Sequence, residues 1–148
     1  MTCILIHSCS KYIKIIEPHL ILLRKYWTDC EYPVYVGMDK NLPLDNDLDK
    51  KYNFTYIRSD MDCSSKNMVD RLLYSLKYLK DKFQNVLLLL DDQVLVRKVN
   101  NKDILESVAF LNNDPDVGGL RIYPSPSGKS RNFYKSMKYH SIVLMFVI

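Results

Sequence analysis

Glycine is scarce in this chain, four residues in 148, and neither G-x-G-x-x-G nor G-x-x-x-x-G-K-[ST] occurs. The glycine-rich phosphate loops of the dinucleotide-binding and P-loop folds are therefore excluded. Cysteine is as thin: Cys3, Cys9, Cys30 and Cys63 lie far apart with no C-x-x-C pair, which writes neither a zinc knuckle nor a redox motif and predicts reduced thiols. His7, His19 and His140 share no metal-binding spacing. Long apolar runs are missing too. The opening "MTCILIH" is short, uncharged at its start and interrupted by His7, unlike a secretory signal. The closing "SIVLMFVI" has eight residues, too few to span a bilayer at ~1.5 Å per helical residue. The expectation is no transmembrane segment and a cytoplasmic setting. An excess of one charge is also lacking, with 21 Lys+Arg against 17 Asp+Glu and a net +4. That argues against a nucleic-acid partner and leaves anionic small ligands compatible.

What is present fits one ordinary domain: 47% hydrophobic and 26% charged residues in 17.4 kDa. "TCILIHS" reads as a buried strand opening into a small polar loop. From Tyr12 to Trp27 the residues Ile15, Ile16, Leu20, Leu23 and Trp27 recur at helical spacing, with Pro18 expected in a first turn. "YPVYVGMD" and "FTYIRSD" are two further strands, separated by a polar loop over 40–51. "SSKNMVDRLLYSLKYLKDK" is the clearest helix: Ser64 or Ser65 is its cap and Met68, Leu72, Leu76 and Leu79 its apolar stripe. "NVLLLL" is too continuously apolar to have a wet face and predicts a central strand covered on both sides. "NKDILESVAFLNND" is a shorter helix and "VGGLRIYPSP" another strand. This alternation predicts an α/β, Rossmann-like, mostly parallel sheet flanked by helices, with right-handed crossovers. There is no internal repeat or low-complexity tract.

In open α/β sheets ligands bind beyond the carboxyl ends of the strands, where loops converge. Those ends carry His7 to Ser10, Asp39, Arg58 to Asp60, and the adjacent pair Asp91 and Asp92. Consecutive residues inside a strand face opposite sides of the sheet, so the two acids can serve one site only if the strand ends there. A carboxylate in an apolar layer costs several kcal/mol of desolvation, or takes up a proton, unless a cation or donors compensate. A divalent metal with a diphosphate is one such compensator. The bland alternative is a solvated turn. Hydrolysis by the pair is disfavoured, because glycosidase acids stand about 5–10 Å apart across a bond, a spacing that neighbours in sequence seldom reach.

Three blocks, "TCILIHSCSKYIKIIEPHLILLRKYWTDCEYPVYVGMD", "VDRLLYSLKYLKDKFQNVLLLLDDQVLVRKV" and "GGLRIYPSP", resemble the amino-terminal, nucleotide-sugar-binding half of GT-A-fold glycosyltransferases of bacterial polysaccharide clusters and large DNA viruses. The resemblance covers about residues 2–127. It implies a GT-A sheet and metal-assisted transfer of a sugar from a UDP- or GDP-linked donor to an unknown glycan or protein acceptor. It further implies that Asp91 meets the ribose and Asp92 a divalent Mn or Mg, in a variant of the DxD motif where Gln93, a weaker ligand, replaces the second Asp. By the same resemblance the loop carrying Ser8, Cys9 and Tyr12 approaches the nucleotide, Asp60 the base and Arg71 the diphosphate. Asp92 and Arg121 are then the candidate leaving-group stabilisers. The catalytic base is expected in a later part of the family's chain.

Residues 1–127 are thus read as the donor-binding domain and 128–148 as a tail that is first basic and aromatic, then apolar. In the tail Lys129, Arg131, Lys135 and Lys138 interleave with Phe133, Tyr134 and Tyr139, a texture that is most often merely solvated. Relative to the family the chain is expected to be incomplete: a truncated copy, an independent donor-binding half and a compact variant are the alternatives. The competing functional reading is a non-catalytic remnant or interaction module that keeps only the donor-binding sheet.

Overall fold

In a computed structural model, the structure describes residues 1–43, 47–114, 116, 119–121 and 144–147. Six strands form one sheet in the order β3-β2-β1-β4-β6-β5, with β1 at Thr2–His7, β2 at Val34–Met38, β3 at Thr55–Arg58, β4 at Asn85–Leu90, β5 at Gly119–Arg121 and β6 at Leu144–Val147. The first four are mutually parallel, in the 3-2-1-4 order of a Rossmann-like α/β fold. β6 runs antiparallel between β4 and β5. The helices are α1 (Ile13–Tyr26), α2 (Leu48–Tyr52), α3 (Met68–Leu79) and α4 (Asn101–Asn113). Residues 122–143, including the basic and aromatic stretch of the tail, lie outside the described residues.

β1 and β4 are buried almost end to end, because helices cover both faces of the sheet and leave no side for polar residues. Strand alternation sorts their side chains between two layers. Ile4, Ile6, Leu87 and Leu89 join Ile16, Leu20, Leu23 and Trp27 of the α1 side, with Ile104 and Leu111 from α4. Cys3, Leu5, Val86 and Leu88 meet Leu79 and the flanks of Leu72 and Leu76 on α3.

Several local expectations are corrected. Ile15 is exposed, and the polar His19 takes the inward position between Ile16 and Leu20. Pro18 lies inside α1 rather than in its first turn. Neither Ser64 nor Ser65 caps α3 through its side chain; Asp62 Oδ1 accepts instead from the Ser64 N–H at 2.8 Å and from Asn67 Nδ2 at 3.0 Å. Met68 is exposed, and the innermost line of α3 is Arg71, Ser75 and Leu79. The polar segment 40–51 contains the start of α2, whose Lys51 and Tyr52 both reach Glu17 of α1, at 2.7 and 2.9 Å.

Gly37 on β2 explains how α3 comes so close. A Cβ at that position would stand 2.7 Å from Ser75 Oγ and 3.5 Å from His7 Nδ1. Gly37→Ala should force the Ser75 hydroxyl off its hydrogen bond to the Arg71 carbonyl and cost about 1–3 kcal/mol, the usual range for overpacking. Urea denaturation checks this, and the double variant Gly37→Ala/Ser75→Ala should recover part of the loss.

Candidate functional site

The chain order of the sheet reverses between β1 and β4, so the loops leaving these two strands part and open a cleft. It holds ≈ 130 Å³ and is lined by His7, Ser8, Cys9 and Tyr12 after β1, Met68 and Arg71 of α3, and Leu90, Asp91 and Asp92 after β4. Whole small-molecule sites occupy roughly 300–1,000 Å³, so this is the size of one subsite.

β4 ends at Leu90, paired with His7, and the Asp91 N–H donates to the His7 carbonyl at 3.2 Å. Asp91 and Asp92 therefore stand in a turn, free of the strand's alternation. Asp91 is half-buried and its Oδ2 accepts from Ser8 Oγ at 2.7 Å. Asp92 is exposed. Gln93 closes the turn: its N–H donates to the Leu90 carbonyl at 2.9 Å and its Oε1 accepts from the Leu90 N–H at 3.3 Å. Its amide oxygen is thus engaged by the backbone instead of facing a ligand.

Arg71 is 4% exposed. Its Nη1 donates to the carbonyls of Asp62 at 2.7 Å and Ser64 at 2.9 Å, while its Nε is buried without a partner. Among the described residues it makes no ion pair. A buried guanidinium with spare donor capacity beside a cleft is chemically suited to an anion with several oxygens.

A buried carboxylate shapes the loop after β1. Asp39, fully buried at the end of β2, accepts from the backbone N–H of Ser10 and, at 2.8 Å, of Asn41. Burial alone would push its carboxyl up, but these donors, the Ser10 hydroxyl and Arg71 hold it below the ordinary carboxylate value. His7 and His19 are also buried, and burial, helped at His7 by the Arg71 charge, lowers both below the ordinary imidazole value. The described cysteines are free, and burial raises the Cys9 and Cys30 thiols and pushes Cys3 to about 12, which disfavours the thiolate at these three.

Of the residues singled out from sequence, Ser8, Cys9, Tyr12, Arg71, Asp91 and Asp92 come together in the cleft. Asp60 is exposed after β3 and is absent from the lining. The Arg121 backbone ends β5, two strands from β4, and its side chain lies outside the described residues. His19, weighed in the sequence only for metal-binding spacing, is a fully buried residue of α1 bonded to the acid turn. Its signal was a polar residue at an inward helical position, between Ile16 and Leu20, where a buried imidazole needs a partner.

Which metal chemistry this donor set fits follows from the same geometry. No group of three or more His, Cys, Asp or Glu converges among the described residues. Asp91 has one oxygen committed to Ser8 and Asp92 is open. One or two carboxylates suit Mg²⁺ or Mn²⁺ only when phosphate oxygens and water complete the octahedron.

No family model and no curated protein matches the chain. Among solved structures, a candidate nucleotide-diphospho-sugar transferase from Desulfovibrio desulfuricans G20 is similar at 12% identity and a TM-score of 0.49, over 99% of this chain and 63% of that one. The chain thus spans less than two thirds of that protein's length. Among the described residues no helix is long and apolar enough to cross a membrane.

Proposed function

We propose that the chain binds a nucleoside-diphosphate-linked sugar in the β1–β4 cleft, and that its activity is glycosyl transfer from that donor. The observation that carries this reading is Arg71: a buried cation with no ion pair among the described residues and with an unpartnered Nε, set across the switch-point cleft from two carboxylates. Arg71 is assigned to the diphosphate, Asp91 with Ser8 to the ribose, and Ser8, Cys9 and Tyr12 to the nucleotide. Asp92 would hold Mn²⁺ or Mg²⁺ jointly with the diphosphate; when bound, that ion supplies positive charge where the leaving phosphate becomes more negative. Arg71 supplies the same kind of stabilisation from a fixed, desolvated position. Asp60 for the base and Arg121 as a second leaving-group cation remain part of the proposal. UDP- and GDP-linked donors are the two classes to compare, with a glycan or protein as acceptor.

Titration calorimetry with UDP- and GDP-sugars in Mn²⁺ tests this reading. Wild type should bind one class, and Asp92→Ala should weaken binding about tenfold or more, the scale of a lost charge-assisted contact. No binding by wild type, or equal binding by the variant, would sink the proposal. A second reading, a donor-binding module without transfer, is favoured by the small cleft. Release of nucleoside diphosphate on incubation with a bound donor separates the two.

A further inference from the structure

The two walls of the cleft come from distant parts of the chain, and each is tied down by one buried histidine. His7 of β1 contacts the Met68 carbonyl through Nε2 at 3.2 Å, at the start of the helix that carries Arg71. His19 of α1 contacts the Asp91 carbonyl through Nδ1 at 3.3 Å, in the turn that carries both acids. A carbonyl oxygen can only accept, so each contact requires the proton on that particular ring nitrogen. The opposite nitrogens, His7 Nδ1 and His19 Nε2, are buried without a partner. A proton there would be a buried donor with nothing to bond, which is more costly than a bare lone pair in the same place. Burial also lowers both groups, in keeping with neutral rings.

We infer that His7 and His19 are positioning residues, held neutral in opposite tautomers, His7 as the Nε2–H form and His19 as the Nδ1–H form, and that together they fix the separation of Arg71 from the acid pair. The consequence for binding rests on the anion-site reading of the cleft; the tautomer assignment does not. His19 is absent from the cleft lining, and His7, which is part of it, acts here through its contact with the Met68 carbonyl. Each acts through a backbone carbonyl, His7 on the helix start and His19 on the turn.

Two measurements decide it. Long-range ¹H–¹⁵N correlation spectra of histidine-labelled wild type near neutral pH should show two neutral rings of opposite tautomer, assigned to His7 and His19 by the loss of each signal in its variant. Two rings of one tautomer, or averaged mixtures, would overturn the inference, whether or not any nucleotide binds. The second is affinity in Mn²⁺ for uridine or guanosine diphosphate, whichever wild type binds. An Asn amide places its nitrogen where Nδ1 stands, and a Gln amide reaches the position of Nε2. His19→Asn and His7→Gln should therefore keep most of the wild-type affinity, while His19→Gln and His7→Asn weaken it about tenfold, the worth of one buried hydrogen bond. A merely structural role would not reverse the preferred amide between the two positions, so equal behaviour of Asn and Gln at both overturns the positioning role. If wild type binds neither uridine nor guanosine diphosphate, the functional reading fails and the spectra still decide the tautomers; they also decide if a variant fails to fold.

Discussion

Arg71→Met should separate affinity from stability. The guanidinium is buried beside the cleft and has no ion pair among the described residues, so the fold bears a desolvation cost that a ligand anion would relieve. Met is similar in length and flexible, and the two carbonyls released by its loss, on Asp62 and Ser64, belong to an exposed and a half-buried residue that water can reach. A buried charge carries a desolvation penalty of several kcal/mol, which an apolar side chain of similar volume does not. The melting temperature should therefore change little, the relief of the desolvation cost being offset by loss of the charge that helps keep buried Asp39 ionised. Binding of uridine or guanosine diphosphate, whichever wild type accepts, should fall about 30-fold or more, since truncating a buried charged partner costs roughly 2–5 kcal/mol. Calorimetry and thermal melts on the same samples check both halves. A variant that loses stability while keeping affinity would show that Arg71 works as a structural brace for the loop at Asp62 and Ser64.

The parts of this site that can be read from sequence are those written as apolar continuity. "TCILIH" and "NVLLLL" carry no polar face because both sides of those strands are covered, and a run with no wet side ending in two acids marks both a central strand and its carboxyl end. What the pattern hides is polarity turned inward. On α3 an apolar stripe through Met68, Leu72 and Leu76 rotates the helix away from its true inner line, because Arg71 and Ser75 face the sheet where Gly37 leaves room for Ser75. On α1 the same bias favours Ile15 over His19. The residues that break the apolar stripes either line the cleft, as Arg71 does, or bond to the backbone of one that does, as Ser75 does to Arg71 and His19 to Asp91. α2 is illegible for another reason: none of its five residues is buried, and it is held by contacts from Glu17 and Arg24 that lie far away in sequence. The place of β6 between β4 and β5 is likewise a non-local pairing that its own composition does not encode.

Leu20→Ala should be the costlier of two matched core truncations, and the reason bears on the cleft. Leu20 is fully buried in the layer that joins α1 and α4 to the sheet, a cluster with fifteen buried members among the described residues. Leu79 is as fully buried but belongs to the α3 layer, which has six such members among the described residues. Truncating a buried Leu costs about 2–5 kcal/mol, more where the surroundings cannot collapse into the space. The thicker α1 layer is locked by neighbours on both sides, so Leu20→Ala belongs near the upper end. Leu79→Ala belongs near the lower, because Leu72, Leu76 and Phe83 around it are only partly buried and can settle inward. Trp27, the one tryptophan, is buried in the same layer as Leu20 and reports unfolding in urea by its fluorescence. Each truncation should also loosen a different wall: Leu20 is next to His19, which ties the acid turn, and Leu79 lies two turns beyond Arg71 on α3. Equal losses of stability for the two variants would mean that the sheet's two layers are equally free to collapse, and that burial of the α1 layer is no guide to its rigidity.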